Sequence, residues 1–252
     1  MTHKIALITG GNRGLGKSGA LKLAAKGTDI LFTYRQHAEE AQAVVKEIEA
    51  LGARAVALPL DVGDSQQFDG FVAQVKAALA ETWQRSQFDY LVNNAGHGHY
   101  RPLADTTEAE FDALMQVHVK GPFFLTQKLL PLLVDGGRVL NISSGLTRMT
   151  LPGSGTYAAM KGAMEVLTRY QAKEWGARRI RVNILAPGAI ETDFGGGRVR
   201  DTRELNAQIA AVTALGRVGL PGDIGDAIAA ILSDETSWIT AQRIEASGGQ
   251  AL

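Results

Sequence analysis

Three side chains stand at spacings that suit carbonyl chemistry. Tyr157 and Lys161 lie four residues apart in Thr156-Tyr157-Ala158-Ala159-Met160-Lys161, and Ser144 lies thirteen residues upstream of the tyrosine. In a helix, predicted here over 154–176, a step of four is about one turn, so the phenol and the ammonium project from one face. Nearby positive charge favours phenolate and would draw a Tyr pKa of about 10 towards neutrality, which makes Tyr157 a candidate acid/base. Gly145, Pro152, Gly153 and Gly155 keep Ser144 out of that helix. It follows the apolar run Arg138-Val139-Leu140-Asn141-Ile142, which reads as a strand delivering a hydroxyl to the carboxyl edge of a sheet. A hydroxyl donor beside a phenol can polarise and then protonate a carbonyl oxygen.

The elements that must position these groups alternate in type. Short apolar runs at 5–9, 29–34, 53–58, 88–93, 137–143, 180–185 and near Arg243 are separated by helical patterns at 15–26, 38–51, 65–80, 108–133 and 154–176. Such alternation predicts an α/β fold: a doubly wound, seven-stranded parallel sheet with helices on both faces. The 252 residues are read as one dinucleotide-binding domain, with a substrate lid over 193–216.

The first strand runs into Thr9-Gly10-Gly11-Asn12-Arg13-Gly14-Leu15-Gly16, spaced Gly-x-x-x-Gly-x-Gly. Glycine lets the backbone turn sharply and approach a ligand, and the helix that follows presents free N–H groups and a positive dipole end to phosphate. At the end of the second strand, where an NAD site usually carries an acidic residue, this chain has Tyr34-Arg35. Arg13 and Arg35 together suit a 2′-phosphate, which favours NADP (NADPH) while leaving NAD possible.

These residues carry a family resemblance. From Thr9 to Gly249 the chain resembles the short-chain dehydrogenases/reductases. The matching residues are Thr9-Gly10 with Gly14 and Gly16, Asp61-Val62, Asn93-Asn94-Ala95-Gly96, Ser144, Tyr157 with Lys161, Asn183, Pro187-Gly188, Ile190-Glu191-Thr192 and Gly216-Arg217-Val218-Gly219 before Pro221. The resemblance implies that Asp61 bonds the adenine amino group with Val62 beside the ring, that Asn93 supports the sheet, and that Asn94-Ala95-Gly96 lies along the cofactor. It implies that Ser144 orients the substrate oxygen, Tyr157 passes the proton, and Lys161 binds the nicotinamide ribose. Thr192 and the backbone of Ile190 would then hold the carboxamide, next to Pro187 and Gly188.

One position departs from the pattern: His118 stands where the family usually has an asparagine. That asparagine shapes a helix break whose free carbonyl starts a water path to the active-site lysine. Pro122 has no N–H to return to the carbonyl of His118, so the break is expected whatever the side chain. His118 is therefore a candidate member of the catalytic group and could add a titrating imidazole.

Composition narrows the remaining choices. Lys plus Arg and Asp plus Glu are both 26, with no block of like charge, which argues against nucleic-acid or membrane partners. There is no cysteine, and no histidine pair has ligand spacing with a carboxylate, so no metal site is expected. The N-terminal residues lack a signal-peptide core, giving a cytoplasmic reading. Phe194-Gly195-Gly196-Gly197 reads as the hinge of the lid, and Leu146 to Leu151 as the opposite wall, with Arg148 its one charge. Leu129, Leu132, Leu133, Met164 and Leu167 exceed what one packing stripe needs, which supports an oligomer; the resemblance implies a homotetramer.

The expected activity is NADP(H)-dependent interconversion of a small-molecule ketone or aldehyde and its alcohol. Within the enzyme class, the alternatives are a 3-oxoacyl-thioester reductase and a sugar dehydrogenase. From another class, a noncatalytic dinucleotide sensor on the same fold predicts cofactor binding without turnover.

Overall fold

Strands buried on both faces read as continuous Val, Ile and Leu runs, and the chain builds its sheet from such runs. The computed structural model describes residues 3–252, so Met1 and Thr2 lie outside the described residues. In chain order the elements are β1 (Ile5–Ile8), α1 (Gly14–Ala24), β2 (Asp29–Tyr34), α2 (Ala38–Ala50), β3 (Ala55–Pro59), α3 (Phe68–Trp83), β4 (Phe88–Asn93) and α4 (Glu108–Met115). A π-helical segment (Gln116–Lys120) leads into α5 (Gly121–Leu129), followed by β5 (Leu133–Ile142), α6 (Gly155–Glu174) and β6 (Arg181–Pro187). The chain continues through α7 (Arg198–Asp201), α8 (Arg203–Ala211), α9 (Pro221–Ile231) and β7 (Arg243–Ala246).

Among the described residues, the strands form one seven-stranded sheet in the order β3-β2-β1-β4-β5-β6-β7. Each neighbouring pair is parallel. The chain winds outwards from β1 to β3, then crosses to β4 on the other side of β1. The crevice at the carboxyl ends of β1 and β4 is thus the topological switch point, the place where such sheets bind ligands.

Strand residues alternate between two cores. Ile5, Leu7, Leu91, Val139 and Val182 pack with Phe68, Phe71, Trp83, Leu125 and Leu129. Ala6, Ile8, Phe32, Val92 and Leu140 pack on the other face with Leu23, Val44, Ile48 and Ile228. One buried polar network crosses the first core. Asn93 Nδ2 donates to Thr126 Oγ1 (2.9 Å) and Asn141 Oδ1 (2.8 Å), while Asn141 Nδ2 donates to Thr168 Oγ1 (2.8 Å) and Gln171 Oε1 (3.0 Å). The network ties α6, which carries Tyr157 and Lys161, to the middle of the sheet.

Several boundaries differ from expectation. The continuous helix expected over 108–133 is instead α4, the π-helical segment, α5 and a 3₁₀ turn at Leu130–Leu132, with Leu133 already in β5. Gly121 N–H bonds Gln116 O, five residues back, immediately before the proline that offers no donor. Strand β5 begins at Leu133 rather than at 137, because Gly136 at φ 76° allows an irregularity that sequence alone reads as a turn. A 3₁₀ turn capped by Asp64 occupies Ser65–Gln67, so α3 starts later than 65. Helix α9, which the periodicity did not single out, packs on α1 where Gly19 and Gly225 leave room for Ile228 and Ser18.

Candidate active site

Tyr157 and Lys161 project from the first two turns of α6, and both are buried. Lys161 Nζ donates to the carbonyl of Ile142, the last residue of β5, at 2.9 Å and lies 5.6 Å from the centre of the Tyr157 ring. Ser144, two residues beyond that strand, is extended, and its Oγ accepts from Leu146 N–H (3.2 Å). Its own O–H stays available to donate. The strand end and the helix face thus bring together the three groups that the spacing singled out.

The protonation states differ from the simple charge argument. Burial pushes the Tyr157 phenol above its ordinary value, and the facing Ser144 hydroxyl opposes this only in part. Burial lowers Lys161 to about 8. The charge argument expects Tyr157 to descend towards neutrality beside Lys161; in the fold, burial of the phenol acts in the opposite direction.

His118 is almost fully buried on the π-helical segment. Its Nε2 lies 2.9 Å from the carbonyl oxygen of His97, which requires the proton on Nε2. Its ring meets Tyr157 edge-on, with centres 5.2 Å apart and planes at 89°. Burial first, then Lys161 and His97, lower its pKa to about 2. The expectation of a titrating imidazole fails, since His118 is neutral throughout the working range. Gly96 provides its place, because a β-carbon there would sit 2.6 Å from Cε1 of His118.

The residues expected around a dinucleotide gather at the switch point. The Thr9 hydroxyl accepts from the N–H groups of Asn94 and Ala95 (both 3.0 Å), and Asn94 Nδ2 donates to the carbonyls of Thr9 (2.9 Å) and Gly10 (3.0 Å). Gly10 is at φ +66° with Ala95 against it, and a side chain at Gly16 would overlap the Gly10 carbonyl and the Asn94 amide. Arg13 precedes α1 without a side-chain cap bond, so its side chain leaves the first-turn N–H groups uncapped. Leu15 and Tyr34 both pack against the second core, and Val62 lies in the first. Asp61 Oδ1 accepts from Gly63 N–H (2.8 Å), its other oxygen lies 3.9 Å from exposed Arg35, and Asn12 Nδ2 reaches Glu40 (3.4 Å). On the far rim, Gly188 N–H bonds Ala246 O (3.1 Å), Ile190 pairs with Gly219, and Thr192 accepts from Phe194 N–H (3.1 Å) beside Gly14. This glycine-lined cradle, open at a helix N-terminus and flanked by two exposed arginines, fits a phosphorylated dinucleotide.

The sequence model of a family described as "Enoyl-(Acyl carrier protein) reductase" matches residues 10–251. The chain belongs to the short-chain dehydrogenase/reductase family. Among its relatives is a hydroxynaphthalene reductase-like protein, Arp2, of Metarhizium brunneum, 33% identical over 261 residues that cover 99% of this chain and 95% of that one. Versicolorin reductase 1 of Dothistroma septosporum is 33% identical over 257 residues, covering 98% and 95%. Among solved structures, the angucycline C-6 ketoreductase LanV with bound NADP superposes with a TM-score of 0.93 at 35% identity, covering 98% of this chain and 95% of that one. A second structure of the landomycin enzyme LanV holds NADP and rabelomycin, with a TM-score of 0.90 at 36% identity and coverage of 99% and 95%.

Around Ser144, Tyr157 and Lys161 of this short-chain dehydrogenase/reductase the walls are more aromatic than the sequence indicated. Phe194 packs over Gly98 and stands 5.9 Å from Tyr157, centre to centre. Arg198 lies 5.4 Å above the Tyr100 ring, whose other neighbour is Gly153. Gly195, Gly196 and Gly197 all adopt φ between 63° and 76°, so they make a tight left-handed turn that presents Phe194 to the site. Neither the rings facing Tyr157 nor the Ile142 carbonyl that receives Lys161 was read from the sequence. The glycine run beside Phe194 was the one available signal.

Two expectations about surfaces are corrected. Arg148 does not line the substrate wall as a free charge, since it pairs with Glu245 (2.6 Å) and bonds the carbonyls of Gln250 (2.7 Å) and Ala251 (2.8 Å). Leu129, Leu132, Leu133 and Met164 are buried in the chain's own packing, and Leu167 is half-buried. The apolar groups that these helices do expose are Phe111, Phe123, Phe124, Val166 and Tyr170. Among the described residues, no group of His, Asp and Glu is placed to hold a metal, and no helix is long and apolar enough to cross a membrane.

Proposed function

We propose that the protein is an NADPH-dependent ketoreductase that reduces a ketone on a polycyclic aromatic skeleton. The observation that carries the reading is a buried Tyr157 phenol that faces the Ser144 hydroxyl and has Lys161 Nζ 5.6 Å from its ring centre. Those three groups are what the oxygen of a ketone needs as it becomes an alcohol. Support for the substrate class comes from the rings of Phe194, His118 and Tyr157 around the site, and from relatives named for hydroxynaphthalene, versicolorin and angucycline reduction.

The mechanism follows from the geometry. Bound NADPH supplies the hydride that the carbonyl carbon accepts. Ser144 Oγ, holding the Leu146 N–H through a lone pair, directs its O–H at the carbonyl oxygen. Tyr157 transfers its phenolic proton to that oxygen, and the Lys161 ammonium stabilises the phenolate left behind. Gly10, Gly14, Gly16, Asn12, Leu15 and the Asn94-Ala95-Gly96 turn would cradle the dinucleotide. Arg13 and Arg35 would meet the 2′-phosphate, Tyr34, Asp61 and Val62 the adenosine, and Pro187, Gly188, Ile190 and Thr192 the nicotinamide end. The segment 193–216 serves as the lid, residues 1–252 form one domain, and the exposed Phe123, Phe124 and Tyr170 faces meet a second copy in a homotetramer.

The test is NADPH oxidation, followed by loss of nicotinamide absorbance, against bicyclic and tricyclic aromatic ketones, aliphatic ketones, a sugar and a 3-oxoacyl thioester. The expected result is turnover of the fused-ring ketones that disappears in Tyr157→Phe while NADPH binding persists. Preference for the thioester or the sugar would overturn the substrate class, and binding without any turnover would favour a dinucleotide sensor.

A further inference from the structure

His118 stands where the family resemblance expects asparagine, yet its environment is not one that an asparagine would fill. Four surfaces converge on the ring: the His97 carbonyl on Nε2, the His97 imidazole with its centre 5.4 Å away, the edge-on Tyr157 ring, and the bare backbone of Gly96 against Cε1. Nε2 donates, so Nδ1 is the unprotonated nitrogen; it is buried and has no hydrogen-bond partner among the described residues. Polarity at this site is therefore wanted at the far nitrogen and not at the near one.

The segment being held is the loop between β4 and α4, whose ends are tied elsewhere. The Thr9 hydroxyl fixes the amides of Asn94 and Ala95, and Arg101 N–H bonds Gly153 O at 2.7 Å. Between those anchors, the bond from His118 to the His97 carbonyl is the polar tie that reaches from the loop to a helix, and Phe194 packs on the loop's outer side at Gly98. We propose that His118 is a positioning residue: through Nε2–H on the His97 carbonyl it holds the 96–99 loop in register with Tyr157, a duty that glutamine can perform and asparagine cannot. The side-chain amide of glutamine reaches about as far from the backbone as Nε2 does. That of asparagine reaches only as far as Nδ1, where no acceptor waits and from which the His97 carbonyl is left unpaired. The family's own residue is thus the wrong one for this loop. A neutral ring suits the duty, since it neither competes for the proton of Tyr157 nor loosens as pH changes.

The inference deepens the ketoreductase reading and rests on it for the kinetic part alone. The experiment compares wild type with His118→Gln, His118→Asn and His118→Ala by two readouts: steady-state kinetics on a fused-ring ketone at several pH values, and hydrogen–deuterium exchange of the peptide spanning 95–101. For His118→Asn and His118→Ala, we expect exchange of the 97–99 amides about tenfold faster and kcat/KM about tenfold lower, most of it in KM. His118→Gln should stay within about threefold of wild type on both readouts, and the pH midpoint should be the same in all four proteins. Asparagine matching wild type, or outperforming glutamine, would overturn the proposal. So would a displaced pH midpoint in His118→Gln, which would indicate a titrating relay instead. Should wild type reduce no ketone, the ketoreductase reading fails by itself, and the exchange rates alone still decide whether His118 holds the loop.

Discussion

Replacing Lys161 with methionine should make the protein more stable while abolishing turnover, and the gain should shrink as pH rises. Lys161 is buried, and its pKa falls from 10.5 to about 8 on folding. At 1.36 kcal/mol per unit, the buried ammonium costs about 3 kcal/mol at pH 7, and the bond to the Ile142 carbonyl returns only part of the hydration that the charge gives up. Between pH 8 and 10.5 the unfolded chain binds the lysine proton and the folded chain has lost it, so wild-type stability rises with pH across that window. Lys161→Met has no such group and lacks that contribution. Both proteins retain Tyr157, whose effect cancels in the difference. Urea unfolding without cofactor at pH 7 and at pH 9.5 measures it: the advantage of the variant should fall by about 2 kcal/mol between the two. A constant difference, or a variant less stable at pH 7, would refute the idea that desolvation of the ammonium dominates this site. Turnover should vanish in the variant at either pH, because the phenolate then forms beside no cation.

Two further outcomes follow from the packing and from the cofactor edge. Asn141→Ala removes two donated bonds and one accepted bond from the buried network, so it should cost about 3 kcal/mol at about 1 kcal/mol per bond, read as a lower urea midpoint; a cost below about 1 kcal/mol would mean the network is dispensable. Arg35→Ala should weaken NADPH about tenfold and leave NADH nearly unchanged, measured by nicotinamide fluorescence, since only the former carries a 2′-phosphate for an exposed guanidinium; equal losses would argue that Arg35 serves only Asp61.

Local signals were legible in the sequence. The seven strands follow from apolar runs, and the glycine turn of Gly10 to Gly16 follows from where it sits after β1. The meeting of Ser144, Tyr157 and Lys161 follows from one helical turn and one strand end. Properties that depend on distant partners were not legible. The Arg148 charge is claimed by Glu245, 97 positions along the chain, and no local pattern announces that pair. Burial raises the phenol of Tyr157, and burial is a property of the assembled fold. Leu129 and Leu132 looked surplus to one stripe because the π-helical segment, which shifts the register of the residues after it, is invisible to a fixed 3.6-residue period. His118 lies on that segment and is buried, which the helical period alone gives no reason to expect of an imidazole.

The pair of bonds that the Thr9 hydroxyl accepts also sets an order of events in time. Residues 9 and 94 are 85 positions apart, and β2 and β3, with their helices, intervene in the chain but not in space. The first three strands need only short-range crossovers, whereas the cradle exists only after β4 has found β1, a long loop closure of the kind that slows folding. A dinucleotide therefore cannot template the early half of the sheet. It can only draw the equilibrium towards chains that have already made the crossing, so NADPH should slow unfolding while leaving the refolding rate of the chain unchanged.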